Sequence, residues 1–164
     1  MKMNRRSLAT LSLSAVALVT LVMSEGYTDR AVIPVKGDVP TIGFGTTQGV
    51  KLGDTTTPQK ALARTLQDVQ KFEGGVKNCI TVPLHQYEYD VYVDFSYNVG
   101  TSAFCNSTMA RKINAGDYEG ACKEILRWTY FQGKDCSRPE NARICGGLAK
   151  RRQAQYRQCV GEQR

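Results

Sequence analysis

The sequence predicts an α+β, mostly helical fold in two lobes: a small β-hairpin lobe, one long inter-lobe helix and a helical carboxy-terminal lobe. Three observations predict it. One stretch, Val39 to Val50, is rich in Gly, Thr and β-branched residues, as hairpins are. A long run of helical periodicity begins at Pro58. Beyond it, every readable apolar pattern again has the helical period, and no internal repeat, linker or low-complexity tract interrupts the chain after Glu25.

The elements follow in order. Gly26 stands where a glycine would close a helix ending at Glu25. In the hairpin, alternation would turn Ile42 and Phe44 into a core and leave Thr41, Gly43 and Gly45 on a nearly bare face, open to a flat ligand. Thr57-Pro58 reads as an N-cap followed by proline at the first helical position. Leu62, Leu66, Val69 and Val76 then give a helix from about Pro58 to Lys77. Another starts near Pro83, with Leu84, Tyr87, Val91 and Phe95 on one stripe, and lone His85 as a capping or surface residue. Ser107 to Asn114 forms a short helix stopped by Gly116. Asp117 to Trp128 forms the next and buries Tyr118, Ala121, Cys122 and Ile125. A basic helix from about Leu148 to Cys159 closes the chain.

The amino-terminus sets the compartment. Lys2, Arg5 and Arg6 precede a charge-free stretch from Ser7 to Met23, the order of an export signal. As a helix the stretch would be about 25 Å long, marginal against a hydrocarbon core of about 30 Å. Ser7, Thr10, Ser12, Ser14 and Thr20 make it weakly apolar. It reads as a cleaved signal peptide, with Ala15-Val16-Ala17 or Val22-Met23-Ser24 as the site, as a permanent anchor, or as an uncleaved anchor weak enough to leave the membrane.

Export agrees with the cysteines. They stand at 79, 105, 122, 136, 145 and 159, none in a CxxC pair, with one histidine in the chain. A zinc site needs clustered ligands, so an even count in an exported chain reads as disulfides. Cys136 and Cys145, flanking a polar segment, are the expected local pair. The chain carries 22 basic and 15 acidic residues, a net +7, which either serves solubility alone or draws it to polyanions: nucleic acid, membrane surfaces or the bacterial envelope. No long basic run or nucleic-acid-binding signature is present, so no nucleic-acid partner is expected. No cofactor and no metal ion are expected, and the protein is expected to act as a monomer.

Several motifs remain: Glu25-Gly26; Val39-Pro40-Thr41-Ile42-Gly43-Phe44-Gly45; Phe95-Ser96-Tyr97-Asn98-Val99-Gly100; Ser107-Thr108; Asn114-Ala115-Gly116-Asp117-Tyr118; Arg127-Trp128; and Gly147-Leu148 with Arg151-Arg152. In this order and spacing they resemble the phage-type lysozymes, endolysins of tailed phages, over nearly everything from Glu25 to Cys159. The resemblance implies a lysozyme-like fold of two lobes with the substrate cleft between them. It implies hydrolysis of the β-1,4 bond from N-acetylmuramic acid to N-acetylglucosamine in peptidoglycan, causing host lysis. A lytic transglycosylase acting on the same bond and an inactive wall-binding protein of the same fold are the alternatives.

The family's usual signature is a glutamate, eight residues, an aspartate, five residues and a threonine. Glu25 matches the first position and Thr41 the last, at an interval one residue longer than usual. Val35 stands six before Thr41, so Asp38, three before it, is the expected second carboxylate, with Asp29 the alternative. Glycoside hydrolysis uses one carboxylic acid to protonate the leaving oxygen and a second carboxylate as base or nucleophile, lysozymes being the standard case. The resemblance makes Glu25 the acid, Asp38 the base or charge stabiliser, and Thr41 the holder of the attacking water. A carboxyl separation of roughly 6.5–9.5 Å would leave room for that water and invert the product.

Family enzymes build the helix ending at the glutamate from the residues just before it. Here these are about Val16 to Ser24, inside the hydrophobic stretch. Residues 1–24 are therefore expected to be an uncleaved signal-anchor, of the signal-anchor-release kind, and residues 25–164 the catalytic domain. The protein would be exported to the host periplasm, tethered at first to the inner membrane and active after release.

Overall fold

A computed structural model describes residues 4–162. The chain divides into two compact units, Leu13–Gly74 and a larger one made of residues 4–12 with 75–162. In order, the regular elements are α1 (Ala15–Glu25), β1 (Thr28–Val32), β2 (Thr41–Gly43), α2 (Pro58–Cys79), α3 (Gln86–Val99), α4 (Thr101–Cys105), α5 (Thr108–Asn114), α6 (Tyr118–Ile125), β3 (Tyr130–Phe131), β4 (Lys134–Asp135) and α7 (Ala142–Cys159). Short 3-10 turns cover Leu8–Thr10 and Pro139–Asn141. The mostly helical α+β class is as expected.

The smaller unit holds α1, the β1–β2 pair and most of α2. Its sheet is antiparallel, with Thr28 opposite Gly43 and Val32 opposite Thr41, and an irregularity between. The expected hairpin within 39–50 is therefore only half right. Its first strand pairs with β1, and its own return is a tight turn in which Ile42 bridges Thr46. β1 reads Thr-Asp-Arg-Ala-Val, too polar and too irregular to carry a strand signal.

The long helix starts as read, with the Lys60 N–H donating to Thr57 Oγ1 at 3.3 Å. Its buried face is only in part the expected one. Ala61, Thr65, Asp68, Val69 and Val76 are buried, whereas Leu62 and Leu66 are 45% and 46% exposed. The cause is close packing. A Cβ at Gly43 would stand 2.8 Å from the Cβ of Ala61, so strand and helix touch where only small residues fit. Bulk was a poor guide to the core here.

In the larger unit α3 is buried almost all round, with Tyr89, Val91, Tyr92, Val93 and Phe95 in the core beside Phe104, Met109, Ile113 and Ile125. Its cap is His85, whose N–H donates to Glu88 Oε2 at 2.8 Å. Ser107 and Asp117 cap α5 and α6 through side-chain oxygens. Tyr118 is only half-buried, its hydroxyl donating to Pro83 O at 3.0 Å. α7 begins at Ala142, before the expected Leu148, with a kink at Cys145; Gly146-Gly147 hid this first turn from propensity.

The cysteines form three bridges: Cys79–Cys105, Cys122–Cys159 and the expected Cys136–Cys145. A buried polar network ties α3 to α7. Arg152 donates to Trp128 O, Asn98 Oδ1 and Gln155 Oε1, Gln155 donates to Asp94, and Arg151 pairs with Asp94. Burial, then the charge of Arg151, pulls the Arg152 guanidinium down to about 10.

Residues 4–12 belong to this unit. Arg6 and Leu84 exchange backbone hydrogen bonds at 2.8 and 2.9 Å. Arg5 grips Glu88 with two, at 3.1 and 2.8 Å, and lies 3.6 Å over the ring of Tyr118. Leu8 and Leu11 are buried, and Lys77 Nζ and Gln86 Nε2 donate to the carbonyls of Leu11 and Ser12. Among the described residues no helix is long and apolar enough to cross a membrane.

Candidate active site

Glu25 is the last residue of α1. The helix starts at Ser14, whose hydroxyl accepts from Ala17 N at 3.1 Å, and stops at Gly26, whose φ of 72° only glycine adopts without strain. Ala17, Leu21 and Glu25 recur at every fourth position, so they share one face. Ala17 and Leu21 are buried. Glu25 thus points toward the inside of its own unit. It is half-buried, with Oε1 removed from solvent.

Its carboxyl rests against Gly45. A Cβ at that position would stand 3.1 Å from Glu25 Oε2 and 3.6 Å from its Cδ. Gly45 lies in the turn closed by Ile42 N to Thr46 O at 3.0 Å and Thr46 N to Ile42 O at 3.1 Å. Gly43 and Gly45 carry φ of 64° and 84°, so residues 43–45 are turn rather than strand. The alternation expected here therefore does not apply. Ile42 is buried and Phe44 half-buried against Tyr27, with ring centroids 5.2 Å apart. The bare face is already taken up: Gly43 admits α2, and Gly45 admits the carboxyl of Glu25.

Asp38 and Thr41 stand on either side of Val39, just ahead of and at the start of β2. Asp38 is exposed; its N–H donates to Val35 O at 2.9 Å, and its Oδ1 accepts from Val39 N at 2.8 Å. Thr41 is half-buried, and its hydroxyl donates to Val39 O at 3.2 Å. Asp29 is exposed on β1, where its carbonyl accepts from Thr56 N at 2.9 Å. Glu25, Asp29, Asp38 and Thr41 all belong to the smaller unit.

Two residues escaped the sequence reading. Thr46 and Asp68 are buried, and Thr46 Oγ1 donates to Asp68 Oδ2 at 2.9 Å. The available signal was an aspartate one position from Val69 on the inward stripe of α2, where a carboxylate is out of place without a partner.

The phage lysozyme family model matches residues 22–155. The chain is 36% identical over 148 residues to a SAR-endolysin of Pseudomonas phage phiKMV, covering 89% of this chain and 87% of that one. It is 32% identical over 130 residues to an endolysin of Salmonella phage P22, covering 76% and 88%. Among solved structures it is similar to an endolysin from Escherichia coli O157:H7 phage FAHEc1, with a TM-score of 0.77, 29% identity and coverage of 94% and 96%. A P22 lysozyme variant matches with a TM-score of 0.74, 28% identity and coverage of 93% and 100%.

Proposed function

The chain belongs to the phage lysozyme family, and we propose that it is an endolysin that hydrolyses the muramic acid–glucosamine bond of peptidoglycan with Glu25 as its acid. The observation that carries the assignment of Glu25 is its setting: the end of a capped helix, one carboxyl oxygen out of solvent, the other against a glycine turn. A proton donor must be held within hydrogen-bond reach of the leaving oxygen. A side chain fixed at a helix terminus and braced by backbone meets that need better than one on a loop.

The second carboxylate is assigned to Asp38 and the water-holding hydroxyl to Thr41. Asp38 is solvated, as a base or charge stabiliser can be, and Val39 links it to Thr41 through one hydrogen bond on each side. A hydroxyl that donates to Val39 O keeps lone pairs to accept from water. Turbidity of purified peptidoglycan tests the set. Wild type should clear it, Glu25→Gln should not, and Asp38→Asn should be strongly slowed. A neutral Asp38→Asn beside a severe Asp29→Asn would move the second carboxylate to β1.

Residues 1–24 are assigned as an uncleaved signal-anchor that exports the enzyme to the periplasm and later releases it as a soluble monomer. The support lies in α1. Val16, Val19 and Met23 are 77%, 57% and 77% exposed, on a helix face that water alone would make polar. An earlier stay in lipid accounts for that composition, and relatives bearing the name SAR-endolysin agree with it. The same residues are needed afterwards: cleavage before Glu25 would remove buried Ala17 and Leu21, and with them buried Leu8 and Leu11 and the Arg5–Glu88 pair. Loss of the membrane potential would be the trigger. Sequencing the soluble, active form should still find the first residues of the chain. A mature start at Leu18 or Glu25 would refute the assignment. Leucine at Ser12, Ser14 and Thr20 should hold the protein in the membrane and delay lysis.

A further inference from the structure

We propose that Thr46 and Asp68 are positioning residues for catalysis, setting the Gly45 turn on which the carboxyl of Glu25 rests. The proposal depends on Glu25 being the acid. The turn from Ile42 to Thr46 is short and closed by its own two backbone bonds, which fix its shape but not its height above the helix beneath. That height is set at Thr46. The residue is 4% exposed, and its hydroxyl donates to Asp68 Oδ2 at 2.9 Å. Asp68 is 7% exposed in α2, with its other oxygen 3.8 Å from both Arg64 Nε and Lys71 Nζ.

The same two cations reach the next part of the chain. Arg64 Nη2 donates to Gln48 O at 2.6 Å and Lys71 Nζ to Gln48 Oε1 at 2.7 Å. About two turns of α2, Arg64 to Lys71, therefore grip residues 46 and 48 together. A carboxylate buried on the inner face of a helix is unfavourable for packing alone, since an apolar side chain would avoid its desolvation. A buried hydroxyl one residue from Gly45 is its hydrogen-bond partner. A Cβ at Gly45 would stand 3.1 Å from Glu25 Oε2, so the turn leaves the carboxyl little room, and a shift of Thr46 that moves Gly45 passes to it. A misplacement of about 1 Å at a reacting group can cost about 100-fold in rate.

The experiment compares Thr46→Val, Thr46→Ser and Asp68→Asn with wild type, measuring initial lysis rate against peptidoglycan concentration well below each melting temperature. Valine keeps the shape and removes the hydroxyl, serine keeps the hydroxyl, and asparagine keeps an acceptor without the charge. The expected result is a fall in kcat of about 10- to 100-fold for Thr46→Val with KM nearly unchanged, and rates within a few-fold of wild type for the other two. If Thr46→Val does not fold, Thr46→Ala takes its place against the same serine control. In a Glu25→Gln background the valine should cause no further loss. A wild-type kcat for the folded Thr46→Val enzyme, or equal losses for valine and serine, would overturn the positioning role while leaving Glu25 in place. An active Glu25→Gln enzyme would overturn the acid assignment, and this proposal with it.

Discussion

Replacing Cys122 and Cys159 together by alanine removes the longest-range of the three cross-links. The bridge joins α6 to the end of α7 across a sequence separation of 37. In the chain-entropy description, opening a loop of that length costs about 3.8 kcal/mol at 25 °C. The Cys79–Cys105 bridge, of separation 26, gives about 3.5 kcal/mol, and the Cys136–Cys145 bridge, of separation 9, about 2.6 kcal/mol. Packing widens the gap. Cys122 and Cys159 are both buried, and Tyr92 and Cys159 are hydrogen-bonded at 3.5 Å between hydroxyl and Sγ. Alanine there leaves a cavity beside a buried hydroxyl, an added cost. For a chain of this size a loss of 3.8 kcal/mol lowers the melting temperature by about 8–15 °C. Thermal unfolding followed by circular dichroism on the three double variants should rank them 122/159, then 79/105, then 136/145. A 136/145 variant that falls as far as the 122/159 one would refute loop closure as the source of the stabilisation.

Two further predictions concern charge. Lys112, hydrogen-bonded at 2.7 Å, is the largest influence holding the Glu124 carboxyl below its ordinary value. A carboxyl lowered on folding stabilises the fold above its unfolded pKa of about 4.3 and stops doing so as pH falls through the folded value. Glu124→Gln should therefore lower the melting temperature at pH 7, with a gap to wild type that closes on acidification toward pH 3; a constant gap would contradict the linkage. Arg5→Ala should strip Glu88, which is buried, of its cation, costing about 1–3 kcal/mol and exposing residues 4–12 to limited proteolysis. Unchanged protection would mean the amino-terminal segment is held by Leu8 and Leu11 alone.

Much of this molecule is legible from its residues, for local reasons. The cap at Thr57 and the helix starts at Ser107 and Asp117 are set within one helical turn, and the Cys136–Cys145 bridge closes a short loop, so each can be read without knowing the fold. The misses share a different cause: each depends on what packs against the segment from elsewhere in the chain. β1 is a strand because β2 and the loop before α2 pair with it, not because Thr-Asp-Arg-Ala-Val favours extension. Leu62 and Leu66 lost the core to Ala61 and Thr65 because Gly43 comes so close. The glycines at 43 and 45 were visible as open space, but whether that space receives a ligand, a helix or a carboxylate is a tertiary fact. The candidate site shows the same division. Glu25 and Thr41 could be proposed from motif positions, and Asp38 only as a nearby carboxylate off the motif, with Asp29 as the alternative. Thr46 and Asp68 became visible only as a buried pair.

The most direct test of the account is a product analysis. Purified peptidoglycan digested with wild type and with Glu25→Gln, the variant first shown to be folded by its circular dichroism and melting temperature, would be examined by mass spectrometry. The account predicts glycan fragments with reducing muramic acid ends from wild type and none above background from the variant. The same fragments released by Glu25→Gln at near wild-type rate would contradict the role of Glu25, and 1,6-anhydro ends from wild type would contradict hydrolysis.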